Sequence, residues 1–572
     1  MTGKINNFKV NRRRIYFLFI LFLIAFSLIS YRLVSIQYLD ASKYRTYAQF
    51  QHMGEFELYS KRGKILDRNG NELAVSLIEK TVYANPKEIE DPGYVSDLIS
   101  EILGIDRNNL EKKLLDKTLG FVYIERKIGS EEANKIARLI ARLDLKGIYM
   151  QDESKRYYPQ YELAGAIIGF TGTDGNGLYG IEIEYESTLR GVNGRAEAEK
   201  DVLGNIIPGN IKTYLEPVDG KDITLTLDSQ IQYITEKSLA AAVEKYNAPG
   251  AVAIVMDPKN GEILAMASYP GFDPNDYQDY DEYSYKPAGI SFTYEPGSTF
   301  KVINIASALE NNTVGKEQVF NLPPYIQVSD RVIREIFRTG NIQYSTKEII
   351  QHSSNIGAVV VALSMGDRLY WEGIKRFGFG ERTGIELPGE ENGIVHDYTT
   401  WPASTIGALA IGQSISVTPL QLLRAVCCIA NGGYLVNPTI IKETGLGAAQ
   451  DPESGDGGGD RIISEETARA VKDMMLAVVE DGTGKNAQIE DVSVCGKTGT
   501  AEKVNQNGRG YSEGRSITSF VGFAPYENPE IAIIIVVDEP QGPERTVWGG
   551  TVAAPVFKEI MKYSLERIKV FK

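Results

Sequence analysis

Ser298 and Lys301 lie three residues apart at the predicted start of a helix, which places a hydroxyl and an amine on one helical face. Pro296 and Gly297 interrupt the preceding chain, and residues 301–310 are apolar at helical spacing. A serine hydroxyl becomes a nucleophile only when a base takes its proton, and a lysine can be that base only where burial or another cation lowers its pKa. By itself the pair is equally compatible with a capping serine near a solvated lysine.

Two more motifs follow the first in chain order. Ser353-Ser354-Asn355 opens the apolar run 356–363, and Lys497-Thr498-Gly499-Thr500 ends a strand-like segment. Each motif is short, but Ser-x-x-Lys, then Ser-x-Asn, then Lys-Thr-Gly resembles the signature of the penicillin-recognising serine transferases.

The resemblance implies an acyl transfer in which Ser298 attacks a carbonyl and Lys301 accepts its proton. It implies that Ser353 relays a proton between Lys301 and Lys497, while Asn355 orients Lys301 and the substrate amide. Lys497 is expected to lower the pKa of Lys301 and to attract a peptide carboxylate. The resemblance also implies that the backbone amides of Ser298 and Thr500 are the oxyanion donors. Gly499 is expected to let the substrate backbone approach the strand closely. The implied oxyanion and substrate-binding positions are Ser298, Thr498, Gly499 and Thr500.

The similarity extends over residues 221–568, which resemble the transpeptidase domain of class B penicillin-binding proteins. Upstream, segments 62–74 and 177–191 resemble that family's pedestal, or dimerisation, domain. The implied fold is mixed α/β: a transferase domain with a central antiparallel sheet flanked by helices, an elongated mostly-β pedestal and one N-terminal transmembrane helix. We predict a cytoplasmic basic tail, a membrane anchor, a pedestal and a transpeptidase domain at residues 1–14, 15–35, 36–216 and 217–572.

The first residues predict the membrane topology. Lys4, Lys9 and Arg12 to Arg14 lie in a stretch without acidic residues, and the uncharged segment 15–31 spans roughly 25 Å as a helix. Because the basic end stays cytoplasmic, we predict a single-pass protein of the cell membrane with an extracytoplasmic catalytic domain. A cleaved signal peptide is the competing interpretation, but the apolar run is long and lacks a convincing cleavage site.

Composition limits the other functions that the chain could have. Its 572 residues carry a formal net charge of −14, which argues against nucleic acid as a partner because phosphate backbones are bound by concentrated Lys and Arg. The three cysteines make no disulfide framework, and Cys427 and Cys428 lie in an apolar run where small buried thiols are ordinary.

Cys495 and His352 raise a separate hypothesis. Cys495 precedes Lys497 by two residues and so faces the same side of a strand, and His352 immediately precedes Ser353. A thiolate and an imidazole at two motifs are ligands that zinc uses, so a structural zinc is one interpretation, with its other ligands unnamed. The alternative is a half-buried thiol and a surface histidine that never meet. The acyl transfer itself is expected to need no cofactor.

The resemblance implies a peptidoglycan D,D-transpeptidase that crosslinks stem peptides through a serine acyl-enzyme and is acylated by β-lactams. The resemblance implies a SEDS-family glycosyltransferase and other membrane cell-wall proteins as partners. A β-lactamase or β-lactam sensor shares the three motifs, but no glutamate can be assigned as the base for hydrolysis. A mainly structural activator of a glycan polymerase is the other alternative. The pedestal motifs resemble the division and sporulation branch of the family more than its elongation branch, so a role in cell division or sporulation is expected, and the motifs do not separate these two.

Overall fold

The structure is a computed structural model that describes residues 12–44, 53–200, 206–335, 340–442, 459–505, 510–543 and 547–570. The chain forms two units, Met1–Ser60 with Gly191–Asp219, and Lys61–Arg190 with Gly220–Lys572. Lys4 and Lys9 of the predicted tail lie outside the described residues. The domain boundaries predicted at residues 14, 35 and 216 stay predictions.

A five-stranded antiparallel sheet forms the centre of the second unit, as the sequence predicted. Its strands are, from one edge to the other, Ile263–Tyr269, Gly250–Met256, Ile531–Asp538, Tyr511–Ala524 and Cys495–Val504. The strand that carries the Lys-Thr-Gly motif is therefore an edge strand, which leaves one side of its backbone unpaired in the sheet.

Both faces of this sheet are buried, and side chains alternate between two hydrophobic cores. Along one strand, Ala251, Ala253 and Val255 enter one core, whereas Val252 and Ile254 enter the other. The first core contains the helices Ser229–Tyr246 and Gly549–Val570. The second contains the helices Lys301–Glu310, Asn355–Arg376, Pro419–Ala430 and Glu465–Asp481. The sheet thus separates the motif-bearing helices from the two terminal helices of this region.

Shorter elements connect this framework. The remaining α-helices are Ala288–Ser291, Thr346–Gln351 and Thr405–Leu409, and the 3₁₀ turns are Pro274–Asp279, Glu282–Tyr285, Gly297–Phe300, Tyr398–Thr400 and Lys485–Ala487. Three two-stranded ladders pair Val319–Leu322 with Ile342–Ser345, Tyr325–Val328 with Arg331–Arg334, and Tyr434–Leu435 with Asp460–Arg461.

Residues 61–190 of the same unit form a second sheet with helices against it. Its strands are Ile65–Leu66, Glu72–Ala84, Val122–Ile128, Ile148–Tyr157 and, from farther along the chain, Ile223–Thr224. The helices Pro92–Leu103, Arg107–Leu115 and Ser130–Leu143 share its core. The short turns are Pro86–Glu88, Gly165–Ile168, Gly180–Glu184 and Glu186–Leu189.

A buried ion cluster ties this region together. The Glu182 carboxylate is fully buried and accepts hydrogen bonds from the Nε atoms of Arg62 and Arg156, each at 2.6 Å. Because these three residues come from separate segments, the cluster fixes the packing of the two ends of the region on each other.

The first unit contains an apolar helix and a small sheet. Helix Arg12–Val34 continues as a π-helical turn, Ser35–Leu39, and the most apolar 18-residue stretch of these 28 residues has a mean hydropathy of 2.3 and no buried residue. Its length and composition fit a single-pass membrane anchor. The sheet pairs Met53–Leu58 with Gly194–Lys200, and the latter with Ile206–Leu215.

Candidate active site

Ser298 lies in the 3₁₀ turn Gly297–Phe300, directly before the helix that Lys301 begins. Gly297 has a φ of +56°, and a Cβ there would lie 3.1 Å from the carbonyl oxygen of Thr500 and 3.2 Å from the Cβ of Ala501. Glycine is therefore favoured both by the backbone conformation and by the close approach to the motif strand. This contact brings Ser298, which is partly exposed, beside Thr500.

Lys301 is fully buried and makes three hydrogen bonds to the Ser-x-Asn motif. Its Nζ donates to the carbonyl oxygen of Ser353 at 2.7 Å, to Ser353 Oγ at 3.3 Å and to Asn355 Oδ1 at 2.7 Å. Burial lowers the pKa of Lys301 to about 7, against the opposing effect of the Glu335 charge. A substantial fraction of Lys301 is therefore neutral, and able to accept a proton, at neutral pH.

Lys497 approaches the same hydroxyl from the edge strand. Its fully buried Nζ donates to Ser353 Oγ at 2.9 Å and to the carbonyl oxygen of Thr498 at 3.0 Å. Burial and, second, the Lys301 charge lower the pKa of Lys497 well below its usual range. The sequence predicted that Lys497 lowers the pKa of Lys301, but burial is the main cause at Lys301 and the charge repulsion is felt at Lys497.

Ser353 therefore accepts hydrogen bonds from two amines, and its own hydroxyl proton is available for a third group. It lies between helices Thr346–Gln351 and Asn355–Arg376 with a φ of +55°, a left-handed conformation that non-glycine residues seldom adopt. Such strain is found where the surrounding structure holds a functional group in place. The arrangement joins all three sequence motifs through one oxygen atom.

Packing between two helices keeps these motifs together. The Asn304 side chain, on the turn of the nucleophile helix after Lys301, donates to the carbonyl oxygen of Ala358 at 2.9 Å. At Gly373 the same two helices approach so closely that an added Cβ would lie 2.4 Å from the Oγ of Ser307. The distance between the Ser-x-x-Lys and Ser-x-Asn motifs is thus set by contacts along both helices.

Glu335 and Arg334 belong to the site but were missed from the sequence. The Glu335 carboxylate accepts hydrogen bonds from the Ser354 hydroxyl and from the backbone N–H groups of Asn355 and Ile356, the latter two at 3.4 and 3.1 Å. The carbonyl oxygen of Arg334 accepts from Asn355 Nδ2 at 3.2 Å. These residues end a hairpin that no motif marks, so only the fold places them here.

The substrate-binding positions predicted on the edge strand have protein partners of their own. The hydroxyls of Thr498 and Thr483 share a hydrogen bond of 2.7 Å, and Thr500 Oγ1 accepts from the N–H of Gly549 at 3.1 Å. A Cβ at Gly499 would lie 2.3 Å from Ser519 Oγ and 2.9 Å from the side chain of Thr299. Gly499 is therefore needed for packing of the strand against the nucleophile turn, a reason that the sequence did not reveal.

A cavity of about 820 Å³ lies beside the end of the motif strand. It is lined by Ala501 and Glu502, which follow the motif, and by Phe292, Glu295 and Trp401, among others. Burial raises the pKa of Glu295, whose Oε2 has no hydrogen-bond partner in the described part of the chain. Its lining residue Ala501 lies against Gly297 of the nucleophile turn, and the cavity is large enough for a substantial part of an extended ligand.

The zinc hypothesis is not supported by the structure. The Cys495 thiol is fully buried and points to the carbonyl oxygen of Lys472 at 3.6 Å, and burial raises its pKa, which disfavours the thiolate that zinc needs. His352 is exposed, with its ring 5.1 Å from that of Tyr344. Within the described residues, no group of three or more His, Cys, Asp or Glu side chains is placed to hold a metal ion.

Comparison with known protein families assigns a family domain to each half of the chain. Residues 251–562 match the penicillin binding protein transpeptidase domain, and residues 57–225 match the penicillin-binding protein dimerisation domain. The first match alone covers more than half of the chain and contains all three motifs.

Individual relatives give the same assignment. The chain is 36% identical to stage V sporulation protein D of Bacillus subtilis, covering 99% of this chain and 87% of that protein. It is 31% identical to the peptidoglycan D,D-transpeptidase FtsI of Escherichia coli K12, covering 88% and 83%.

Solved structures also match over almost the whole chain. Penicillin binding protein 3 of Mycobacterium tuberculosis in complex with aztreonam is 26% identical with a TM-score of 0.69, covering 90% of this chain and 98% of that one. The predicted fold class is thereby confirmed. With three converging motifs, two matched domains and relatives that span its length, the chain belongs to the class B penicillin-binding proteins, the peptidoglycan D,D-transpeptidases that β-lactams target.

Proposed function

We propose that Ser298 forms the acyl-enzyme of this transpeptidase, with Lys301 as the base that accepts its proton. The observation that carries the proposal is the burial of Lys301 with a pKa of about 7, one helical turn from the partly exposed Ser298. A base with a pKa near the working pH is present in its neutral form and still binds a proton well.

The proposed acylation moves one proton and exchanges one bond. Ser298 Oγ bonds to the carbonyl carbon of the penultimate D-alanine as its proton passes to Lys301 Nζ, and the bond from that carbon to the terminal D-alanine nitrogen breaks. The leaving nitrogen takes a proton through the Ser353 hydroxyl, which lies within hydrogen-bonding distance of both lysines. An acceptor amine then attacks the ester, and Ser298 regains its proton.

We assign substrate binding to the edge strand. The backbone N–H groups of Ser298 and Thr500 are the proposed oxyanion donors, and the close packing of Gly297 on Thr500 supports their proximity. Lys497 and the hydroxyls of Thr498 and Thr500 receive the terminal carboxylate of the stem peptide. The rest of the peptide, or the side chain of a β-lactam, extends into the cavity beyond Ala501.

The catalytic domain is proposed to lie outside the cytoplasmic membrane, because basic residues precede the apolar helix Arg12–Val34. A fluorescent penicillin that cannot cross membranes should then label the protein in cells whose outer face is accessible. Labelling that requires membrane permeabilisation would show the opposite orientation.

A SEDS-family glycosyltransferase is the partner that we propose for glycan synthesis. The two matched domains are a transpeptidase domain and a dimerisation domain, and we assign polymerisation of the glycan to a separate protein. Affinity purification from detergent-solubilised membranes, followed by mass spectrometry, should recover such a protein with this chain.

The decisive test of the proposed function is labelling by penicillin followed by peptide mapping. We expect the adduct on Ser298, no label on Ser298→Ala, and full labelling of the control Ser364→Ala, which removes an exposed hydroxyl of the same domain. An adduct on another residue would refute the assignment. Rapid release of hydrolysed drug would instead indicate a β-lactamase, and normal crosslinking in cells that contain only Ser298→Ala would indicate a structural role.

A further inference from the structure

The hairpin Tyr325–Val328 with Arg331–Arg334 ends at the start of the helix that carries the Ser-x-Asn motif. The N–H of Glu335 donates to the carbonyl oxygen of Pro324 at 3.3 Å, which continues the pairing of the hairpin by one residue. The hairpin thus delivers the Glu335 side chain to a place where three donors of the motif helix meet.

Glu335 caps the N-terminus of the helix Asn355–Arg376, although it is not part of that helix. The first N–H groups of a helix have no intrahelical partners, and a carboxylate near them is favoured by both hydrogen bonding and the helix dipole. Here the carboxylate binds the N–H groups of Asn355 and Ile356 and the hydroxyl of Ser354. The Ser354 hydroxyl in turn accepts from the N–H of Gly357 at 3.0 Å, so the helical cap and Glu335 form one network.

The residue before Glu335 orients the Asn355 amide. Because the amide nitrogen of Asn355 donates to the carbonyl oxygen of Arg334, its oxygen faces the opposite way and accepts from Lys301 Nζ at 2.7 Å. The Arg334 guanidinium itself is directed elsewhere, over the ring of Tyr325 at 5.8 Å. The hairpin end therefore holds the acceptor that positions the Lys301 amine.

Charges from three elements surround this network. Lys301 comes from the nucleophile helix, Lys497 from the edge strand and Glu335 from the hairpin, and Lys301 and Lys497 are both fully buried. The Glu335 charge raises the pKa of Lys301, which burial lowers. Glu335 is thus the anion that partly offsets the cost of a buried ammonium ion when Lys301 has received a proton.

We propose that Glu335 is a positioning residue of the acyl transfer, which fixes the Ser-x-Asn turn so that Asn355 and Ser353 hold the Lys301 amine in place. The inference rests on the proposed function of Lys301 as the base. Glu335 acts through Ser354, Asn355 and its charge.

The variant Glu335→Gln tests both parts of this role. An amide has the same shape, but only one of its two polar atoms accepts hydrogen bonds, so its NH₂ group faces an N–H donor at the helix start. We expect the second-order rate constant for acylation by a fluorescent penicillin to fall about tenfold at its plateau, because small displacements of a base reduce rates strongly. The acid limb of the pH profile should move to lower pH, since neutral Lys301 is the reactive form and the amide no longer favours its protonation.

Two further variants separate charge from capping. Ser354→Ala removes the hydroxyl of the network but keeps the Glu335 charge, so the rate should fall while the midpoint of the acid limb stays where it is in the wild type. Glu335→Asp keeps the charge, so its midpoint should also match the wild type. Melting temperatures and circular dichroism of each variant establish that the rates are those of folded protein.

The outcomes distinguish this inference from the proposed function. If wild-type protein is labelled on Ser298 with an acid limb near pH 7, and Glu335→Gln leaves both rate and midpoint unchanged, Glu335 has no positioning role. If Glu335→Gln lowers only the melting temperature, its role is structural and the inference is again overturned. If the wild-type limb is absent or Ser298→Ala is still labelled at the motif, the proposed function itself fails.

Discussion

Replacing Ser353 by alanine should stop proton relay while leaving both lysines in place. The Ser353 hydroxyl is the atom that both amines contact, at 3.3 Å from Lys301 and 2.9 Å from Lys497. Without it, Lys301 keeps the Ser353 carbonyl oxygen and Asn355 Oδ1 as acceptors, each at 2.7 Å, and Lys497 keeps the Thr498 carbonyl oxygen. The substitution therefore removes the hydroxyl that links the two amines, while each amine keeps its other hydrogen-bond acceptors.

The expected decrease in the acylation rate of Ser353→Ala follows from the loss of this proton-transferring hydroxyl. A positioned proton-transfer group contributes a factor of about 10² to 10⁴, so we expect acylation of Ser353→Ala to slow about 10³-fold, or about 4 kcal/mol in activation free energy. The free energy of unfolding should fall by only about 2 kcal/mol, because two hydrogen bonds from amines, one of ordinary length and one longer, are lost.

The left-handed backbone at Ser353, with a φ of +55°, supplies a matched partner variant. Ser353→Gly removes the same hydroxyl but also relieves the strain of a Cβ in this conformation, which is worth about 1 kcal/mol. Glycine also makes the unfolded chain more flexible, which lowers the stability of the variant by about 0.4–1 kcal/mol. Because the relief of strain is at least as large, the net stability of Ser353→Gly should equal or exceed that of Ser353→Ala. Both variants should lose acylation by the same factor.

The assay is stopped-flow or gel-based acylation by a fluorescent penicillin, with urea unfolding of the same preparations. Equal rates for wild type and Ser353→Ala would refute the relay. A Ser353→Gly variant that acylates as fast as wild type would show that backbone conformation, and not the hydroxyl, matters at this position.

Three other measurements test separate parts of the structure. The acylation rate should rise with pH through a midpoint of about 7, because burial lowers the pKa of Lys301 and its neutral form accepts the proton, whereas a midpoint near 10 would contradict a buried base. Glu182→Ala leaves Arg62 and Arg156 buried without their shared partner, so urea unfolding should show a loss of about 3–5 kcal/mol, and penicillin labelling of the folded fraction should persist; a loss below 1 kcal/mol would show the cluster to be unimportant. Melting curves with and without EDTA should coincide because the Cys495 thiol binds a backbone carbonyl, and a lower melting temperature in EDTA would restore the zinc hypothesis.

The sequence was sufficient to predict the residues that the two-lysine network joins. Ser353, Asn355 and Lys497 were predicted through the family resemblance that the three ordered motifs carry, and the structure brings all three to Lys301 or to each other. The continuous apolar run 251–256 is typical of a strand that is buried on both faces, which is what the structure shows.

Glu335 and Thr483 were not predicted as residues of the site, and the physical reason is the same for both. Glu335 lies 20 positions before Asn355 in an ordinary hairpin, and Thr483 lies 15 before Thr498, so neither spacing has a local period that predicts contact. Cys495 shows the reverse error, because strand alternation predicted that it would face the side of Lys497 but not that helix Glu465–Asp481 would cover it. Sequence patterns therefore do not predict the contacts of side chains whose partners lie on another element.

The burial of two amines against one hydroxyl explains why the site needs so much support. Removing an ammonium ion from water is costly, and the neutral form is favoured to the extent that the charge lacks partners. Lys301 therefore becomes a base only if its position is held by neutral acceptors, the Ser353 carbonyl and Asn355, and not by a carboxylate in direct contact. Glu335 acts across the helix start instead, close enough to moderate the pKa of Lys301 but bonded to Ser354, Asn355 and Ile356. A carboxylate in direct contact would keep the amine protonated at neutral pH and leave Ser298 without a base.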